Sequence, residues 1–429
     1  MSIQLPYGSS RLDFQLESEG GLGVLELGRQ PTVDPVSATL SALRHPLDSP
    51  PLTQLVQAGD KVTILTSDST RVVQANLFMP VILDELNSSG VPDRNITILF
   101  ARGNHRALSE DEVVTLLGKA VTDRVRTTQH DSHNEADLVL LGRTIRGTEV
   151  WVNRLAIDCN LLIITGAVQF HDFAGFSGGC KSILPGISGH QTIQQNHRLL
   201  LYPVPGCGRN PHAVSGKLDG NPVHEDMLEA ALMVPRAFMV NSVVTPEGGI
   251  AHMFAGSLRN AHHEACRLVS RTFGVSIGQQ AELVLVSCGG WPRDINYYQA
   301  TKAICNAGQA VMDGGVIVLV AECREGLGAE GFPYWFGELR DVAAVDAVLR
   351  RSFDVVGYFA LMIKELLQSR SVTIIGVTGL GSEEARMVGL EPATSPLDAL
   401  AKARARLRHG FSWCAIPNGC VTLPIVDQH

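Results

Sequence analysis

Short runs of apolar, β-branched residues alternate with helical patterns along most of the chain, and three of these runs end in polar loops. A buried-strand pattern passes into such a loop in three segments, 61–71 (KVTILTSDSTR), 95–106 (NITILFARGNHR) and 160–171 (NLLIITGAVQFH). Apolar positions with a spacing near 3.6 follow the first loop, and SEDE at 109–112 predicts the capped start of a helix. Strands separated by helices predict a parallel sheet with right-handed crossovers.

The three loops carry the first candidates for a functional site, namely Asp68, Arg71, His105 and His171. Ligands of parallel α/β sheets bind outside the carboxyl ends of the strands. We therefore expect these four side chains to gather at one edge of the sheet, provided that all three strands are parallel.

A glycine-rich stretch between two histidines, residues 171–197, is the second candidate region. Gly175, Gly178 and Gly179 would allow a ligand to approach the backbone closely, and Lys181 would add a fixed positive charge. The same residue types also form ordinary tight turns. Taken alone, this stretch leaves a phosphate cradle and a structural turn equally open.

The pattern changes between residues 200 and 275, which look loop-like with helical segments around 223–235 and 258–272. A strand, a glycine turn and a helix then restart at 281–311, and further strands are predicted at 314–323 and 371–379.

We therefore predict two α/β domains with largely parallel sheets and an active site in the cleft between them. The first domain is predicted over residues 1–275 and the second over 281–429, with the final ~20 residues packing back on the first domain. In the second domain, Tyr298 and Lys302 share one helix face at a spacing of four, with Gln299 beside them.

Composition narrows the class of protein. The 429 residues are 45% apolar and 18% charged, with a net charge of −8, which excludes a disordered chain and disfavours nucleic acid or an anionic membrane as a partner. We see neither a signal peptide nor a membrane-spanning run, so a cytoplasmic location is expected. Nine cysteines without a CxxC pair indicate reduced thiols.

Two further motifs have competing interpretations. Gly326, Gly328 and Gly331 match GxGxxG after a strand, which is found in dinucleotide-binding turns but also fits a flexible loop. Cys180, next to Lys181, is a candidate nucleophile, although a packing role is favoured.

Six motifs can now be set together, namely DSTR at 68–71, GNHR at 103–106, FHDFAGFSGGCKSILPG at 170–186, TIQQNH at 192–197, DGNPVHEDM at 219–227 and YYQATKA at 297–303. Together they resemble the lactate racemase family, whose members are 2-hydroxy acid racemases and epimerases that depend on a nickel-pincer nucleotide.

The resemblance implies a role for each candidate residue. His197 matches the protein ligand of the nickel ion, and Lys181 matches the residue to which the cofactor can be tethered. That cofactor is the nickel pyridinium-3-thioamide-5-thiocarboxylic acid mononucleotide. His105 and His171 match the two acid/base groups. The remaining matches are Arg71 to a substrate carboxylate clamp, Asp68, Gly178 and Gly179 to the surroundings of the cofactor, and Tyr298, Gln299 and Lys302 to substrate contacts from the second domain.

The resemblance also implies the chemistry of an isomerase. Hydrogen leaves the α-carbon of the hydroxy acid as hydride, a 2-keto acid forms transiently, and the hydride returns to the other face. The implied partners are a small 2-hydroxy acid and the enzymes that make the cofactor. Two alternatives remain. The first is an NAD-dependent 2-hydroxy acid dehydrogenase, and the second is a non-catalytic protein that binds the acid or the cofactor. Arg102, three residues before His105, suggests a substrate with a second anionic or hydroxyl group.

Overall fold

The computed structural model describes residues 1–28, 30–71 and 73–426 and divides into two compact units. The first unit comprises Arg29–Leu200 and His212–Ser270, and the second unit comprises Met1–Gly28, Leu201–Pro211 and Arg271–His429. The predicted division near 275–281 lies close to the change of unit at Arg271. Each unit also collects segments that are far apart in sequence.

A six-stranded sheet forms the centre of the first unit. Its strands, in spatial order, are Ile250–Gly256, Ala237–Val244, Leu161–Ala167, Val62–Ser67, Ile96–Ala101 and Arg126–Gln129. All neighbouring pairs are parallel except the pair at the Ile250–Gly256 edge. The three strands that the sequence predicted lie side by side and are parallel, so the condition for gathering their loops at one edge is met.

The first unit also contains helices and two hairpins. The helices are Pro35–Arg44, Leu52–Leu55, Ala75–Ser88, Glu110–Leu117, Lys119–Thr122, His190–His197, Pro222–Leu232 and Asn260–Phe273, in which the chain passes into the second unit. Leu138–Arg143 forms an antiparallel hairpin with Glu149–Asn153, and Phe170–His171 forms a short one with Gly175–Phe176. Ile64, Ile98 and Ile163 belong to the aliphatic core of this unit.

The predicted helix start at 109–112 has the expected cap. The Ser109 side chain accepts a hydrogen bond from the backbone N–H of Glu112, and the Glu112 side chain accepts one from the backbone N–H of Ser109. Gly118 ends the helix with a positive φ of 80°. Both ends of this helix are thus encoded locally.

The region 200–275 contains two strands that the sequence analysis did not predict. Ala237–Val244 and Ile250–Gly256 pair in antiparallel fashion and extend the sheet of the first unit. The first of them is buried over seven of its eight positions, so it has no alternation of polar and apolar residues that would separate it from a buried helical segment.

The second unit is built on a parallel six-stranded sheet. Its spatial order is Glu391–Ala393, Thr373–Thr378, Val311–Ala321, Ala281–Ser287, Trp413–Ile416 and Gly21–Val24. Its α-helices are Tyr297–Ala310, Val342–Arg351, Val355–Lys364, Ser382–Met387 and Pro396–Arg404. Gly21–Val24 is the edge strand of this sheet, next to Trp413–Ile416.

Both ends of the chain take part in the second unit. The hairpin of Ser2–Tyr7 and Ser10–Gln15 lies there, and Leu423–Val426 pairs in parallel with Gly274–Ile277. The final ~20 residues were predicted to pack on the first domain, and residues 427–429 of this segment lie outside the described residues. Among the helices of the described residues, none combines the length and the apolar character needed to cross a membrane.

Candidate active site

The loops after two neighbouring strands bring Asp68 and His105 together. Ser67 and Ala101 are register partners at the carboxyl ends of parallel strands, and Asp68 Oδ2 lies 2.6 Å from His105 Nδ1. Asp68 is buried, whereas the His105 side chain is 54% exposed. A buried carboxylate thus holds an imidazole whose other nitrogen, Nε2, remains for proton transfer.

The Asp68 carboxylate is kept ionised by its hydrogen bonds. Its Oδ1 accepts from the backbone N–H of Thr70 at 3.0 Å and from the Thr70 hydroxyl at 2.5 Å. Burial by itself raises the pKa of Asp68, but the bonds from His105 and Thr70 outweigh burial, and the pKa lies below its ordinary value.

Arg102 holds the same loop. Its guanidinium donates to the backbone carbonyl of His105 and lies 3.8 Å from the Asp131 carboxylate, and its side chain is only 14% exposed. These contacts give Arg102 a role in fixing the position of His105. Its predicted contact with a second group on the substrate stays a prediction.

The loop after Leu161–Ala167 carries His171 in a short hairpin, and the aromatic ring of Phe173 follows at its tip. The Phe173 ring centroid lies 4.7 Å from that of His171 and 5.2 Å from that of His197, edge-on in both cases. The ammonium nitrogen of Lys181 lies 5.6 Å from the same ring. Three predicted site residues therefore surround one buried phenylalanine.

Sequence reasoning missed Phe173. The only signal available was its position inside the HDFAGF motif, between His171 and Lys181. Nothing in the spacing alone indicates that His197, 24 residues later, returns to the same ring.

Lys181 lies in the 3₁₀ turn Gly179–Ser182 and is half-buried. Burial lowers the pKa of its ammonium group to about 7, and the charge of Arg71 lowers this pKa further. The charge of Asp172 raises it, but by less. Near neutral pH a large fraction of Lys181 is therefore an uncharged amine, which is the nucleophilic form.

Gly178 and Gly179 are packed closely against other residues of this chain. Both have positive φ values, 73° and 53°, and a Cβ would lie 2.5 Å from Asn241 Oδ1 at Gly178 and 2.6 Å from the His262 ring at Gly179. The Gly179 N–H also donates to Asn241 Oδ1 at 2.8 Å. Packing within the protein thus already requires glycine at both positions, and their predicted contact with a cofactor stays a prediction.

His197 ends the helix His190–His197 and is 7% exposed. Its Nδ1 lies 3.1 Å from Asn196 Oδ1. Burial lowers the pKa of His197 to about 3, and the nearby charge of Lys181 adds to this effect. The imidazole is therefore neutral near pH 7, as a metal ligand must be.

The predicted residues of the second unit lie at the start of the helix Tyr297–Ala310, as expected. Asn296 caps this helix by accepting from the Gln299 N–H, and Lys302 Nζ donates to Gln299 Oε1 at 2.8 Å. The Tyr298 ring packs edge-on against Phe359 at 5.5 Å. Their predicted meeting with the first-unit residues in a cleft stays a prediction.

Comparison with known proteins gives the relationship that these motifs suggested. Residues 7–206 match the family model of the lactate racemase N-terminal domain, and residues 277–423 match that of the lactate racemase C-terminal domain. This chain belongs to the lactate racemase family. A curated lactate racemase of Thermoanaerobacterium thermosaccharolyticum is 33% identical over 428 residues, covering 97% of this chain and 98% of the relative. One of Lactiplantibacillus plantarum is 32% identical over 350 residues, covering 80% and 79%.

Solved structures extend the likeness to the fold. The lactate racemase apoprotein from Thermoanaerobacterium thermosaccharolyticum matches with a TM-score of 0.89 and 32% identity, covering 99% of this chain and 100% of that chain. A protein from Thermotoga maritima, at 19% identity, shares the fold with a TM-score of 0.63, covering 92% and 100%. The predicted lactate racemase family, the two-domain α/β architecture and the isomerase class are confirmed.

In this member of the lactate racemase family the GxGxxG loop caps a helix. The carbonyls of Gly326 and Leu327 accept from the N–H groups of Tyr297 and Tyr298, each at 3.0 Å, and Gly328 packs against Asn296. A π-helical turn, Pro333–Glu338, follows instead of an α-helix. The loop therefore fixes the start of the helix that carries Tyr298, Gln299 and Lys302.

A buried cluster of two histidines and two cysteines lies behind the Lys181 turn. Cys180 Sγ lies 3.9 Å from His224 Nδ1, His224 stacks on His262 at 6.0 Å, and Cys266 Sγ lies 3.6 Å from His262 Nε2. Burial raises the pKa of the Cys180 thiol to about 12, so it is not a nucleophile near neutral pH and the packing role is favoured. In the part of the chain that the structure describes, no group of three or more His, Cys, Asp or Glu side chains is arranged to hold a metal ion.

These two histidines predict acid-sensitive stability. Burial lowers the pKa of His224 to about 3 and that of His262 to about 4. Between pH 4 and the ordinary value near ~6.5 the unfolded chain binds more protons, so the free energy of unfolding falls as the pH falls. We expect these two histidines together to lower it by about 4 kcal/mol between pH 7 and pH 5, at about 1.4 kcal/mol per pKa unit, in urea titrations of the apoprotein.

The slope against pH, rather than the absolute stability, is the measurement that isolates this effect. His224→Gln with His262→Gln should make the slope clearly shallower, whereas His409→Gln, at an exposed position, should not change it. An unchanged slope in the double variant would exclude these histidines as its source.

Proposed function

We propose that this protein interconverts the two enantiomers of lactate and that it uses a nickel-pincer nucleotide as cofactor. The observation that carries the proposal is the arrangement of His171, Lys181 and His197 around Phe173 in a chain that also pairs His105 with Asp68. The names of the curated relatives, both lactate racemases, support lactate as the substrate.

The side chains present fit such a cofactor. His197 is a buried, neutral imidazole suited to bind a metal ion, and Lys181 is an amine with a pKa of about 7, suited to form a covalent link. Arg71 and Lys181 are close enough for their charges to interact, which favours an anionic ligand such as a phosphate or thiocarboxylate group.

When bound, the cofactor would supply the acceptor that takes hydrogen from C2 of lactate as hydride and returns it. The residues of the chain manage protons and position the substrate. His105 is held through Nδ1 by Asp68, so Nε2 would remove the hydroxyl proton of one enantiomer and return it when the reaction runs backwards. His171 would do the same for the other enantiomer.

Arg71 would bind the substrate carboxylate. The backbone N–H of Arg71 donates to the Asp68 carbonyl at 3.3 Å, which closes a turn. Arg71 and Asp68, the partner of His105, therefore belong to one loop. A planar guanidinium can pair with a carboxylate through two parallel hydrogen bonds. Tyr298, Gln299 and Lys302 are proposed to complete the substrate contacts from the second unit.

The cofactor implies partners and a location. Enzymes that make the nickel-pincer nucleotide would have to act before this protein becomes active. All nine cysteines lie among the described residues and are free thiols, which supports a reducing compartment such as the cytoplasm.

The proposal is tested with protein co-expressed with the cofactor-making enzymes. Incubation with L-lactate should yield D-lactate until the two are equal, as measured by chiral chromatography, without formation of reduced nicotinamide when NAD is added. Reduction of NAD would instead indicate the dehydrogenase alternative, and binding of lactate without turnover would indicate a non-catalytic protein.

A further inference from the structure

A buried chain of hydrogen bonds ends at the His197 ring. It starts at Asp226, which is 0% exposed and lies on the helix Pro222–Leu232. Its Oδ1 accepts from the Thr144 hydroxyl at 2.5 Å, and its Oδ2 accepts from the Thr148 hydroxyl at 2.8 Å. The Thr144 oxygen in turn accepts from the Thr148 N–H at 3.1 Å, which leaves the Thr144 proton for Asp226.

Asn196 connects this carboxylate to His197. Asn196 is also 0% exposed, and its Nδ2 donates to Asp226 Oδ2 at 2.9 Å and to the Val223 carbonyl at 3.2 Å. Both of these partners can only accept. A flipped amide would place Oδ1 against two acceptors, so the orientation of the Asn196 amide is fixed.

The fixed amide determines which nitrogen of His197 carries the proton. Asn196 Oδ1 lies 3.1 Å from His197 Nδ1 and has no proton to give, so the hydrogen bond requires the proton on Nδ1. The carbonyl of Ile193, one helical turn earlier, is a second acceptor against the same imidazole. A neutral imidazole with Nδ1–H has its lone pair on Nε2, the form that binds a metal ion through Nε2.

We propose that Asn196 and Asp226 are positioning residues that hold His197 in the Nδ1–H tautomer and so present Nε2 as the nickel ligand. The inference rests on the proposed function for the identity of the metal, but the tautomer itself is a property of the protein without cofactor. Neither residue needs to touch the cofactor or substrate. Asp226 acts by orienting the Asn196 amide, and Asn196 acts by accepting the His197 proton.

The tautomer can be measured directly in the apoprotein. Two-bond ¹H–¹⁵N correlation spectra of protein with ¹⁵N-labelled histidines distinguish a protonated from an unprotonated ring nitrogen, and His197→Gln identifies the His197 signals. We expect Nδ1 of His197 to be protonated and Nε2 to be unprotonated. A proton on Nε2 would overturn the proposal without any variant being needed.

Variants then test the two positioning residues. Asn196→Leu removes the acceptor and should give a mixture of tautomers, and the loaded protein should lose nickel about 10–100-fold faster on dialysis, as measured by metal analysis. Thr148→Val is the matched control, because it removes one donor to Asp226 but leaves the Asn196–His197 bond in place. It should keep the wild-type tautomer.

A reciprocal exchange separates positioning from simple packing. Asp226→Asn alone should weaken the preference for Nδ1–H, because Asn196 loses the carboxylate that orients its amide. Asn196→Asp combined with Asp226→Asn restores a donor opposite an acceptor and should recover the preference at least in part. Wild-type tautomer and nickel retention in Asn196→Leu would contradict the proposal. An Nδ1–H tautomer in a protein that neither holds nickel nor racemises lactate would contradict the proposed function alone.

Discussion

His105→Ala and His171→Ala are each expected to lower kcat/KM for lactate by about 10²–10⁴-fold, because each variant lacks one of the two groups that accept the hydroxyl proton. The loss must be equal in the two directions, since the enantiomers have equal free energy and the equilibrium constant cannot change. Initial rates from L-lactate and from D-lactate, measured by chiral chromatography, give both values.

The half-reactions distinguish the two histidines. In a single turnover of loaded enzyme, each variant should still oxidise one enantiomer to bound pyruvate and fail with the other, and the two variants should differ in which enantiomer they oxidise. His409→Ala, at an exposed position in the second unit, is the control and should behave as wild type. Loss of the same enantiomer in both variants would exclude the two-base account.

Replacement of Lys181 is expected to abolish covalent attachment of the cofactor. Intact mass of the wild-type protein co-expressed with the cofactor-making enzymes should show an adduct, and Lys181→Ala and Lys181→Arg should both lack it. Arginine keeps the positive charge near Arg71 but has no nucleophilic amine near neutral pH. An adduct that persists in Lys181→Arg would place the attachment at another residue.

The reactivity of Lys181 can be checked without the cofactor. Its pKa of about 7 means that the amine is largely deprotonated at pH 8, whereas ordinary lysines, with pKa values near ~10.4, are not. Limited acylation of the apoprotein, followed by peptide mass analysis, should therefore modify Lys181 ahead of Lys217, which serves as the internal control. Modification of Lys217 ahead of Lys181 would contradict the lowered pKa.

The sequence was most informative where structure is encoded locally. The strands before Asp68, His105 and His171 were visible as buried apolar runs, and the helix after Ser109 was visible from its capping box. The candidate residues of these loops could be predicted because parallel strands place their carboxyl ends at one edge. The pairing of Asp68 with His105 follows from that rule.

Non-local pairing was not visible in the sequence. The strand Gly21–Val24 joins Trp413–Ile416 across almost the whole chain, so the first residues belong to the second unit rather than to the sequence that follows them. No local pattern specifies such a partner. For the same reason the strands at 237–256 were missed, since their place is set by the neighbouring strand Leu161–Ala167.

The residues that sequence reasoning missed contact other candidate residues of the site. Phe173 contacts His171, Lys181 and His197 only because a hairpin, a turn and a helix end converge. Asn196 and Asp226 lie within motifs that were recognised, TIQQNH and DGNPVHEDM, but the bond between them depends on the packing of two helices. Motifs identified these segments, and only the tertiary contacts show which of their residues meet.

The most direct test of the account follows the hydrogen at C2 of lactate. L-lactate is incubated with loaded enzyme in D₂O until both enantiomers are present in equal amounts, and the D-lactate is analysed by mass spectrometry and NMR. Because the hydrogen is proposed to leave and return as hydride without meeting solvent, D-lactate should retain protium at C2. Deuterium at C2 of the D-lactate formed would show that the hydrogen leaves as a proton and would contradict the central claim.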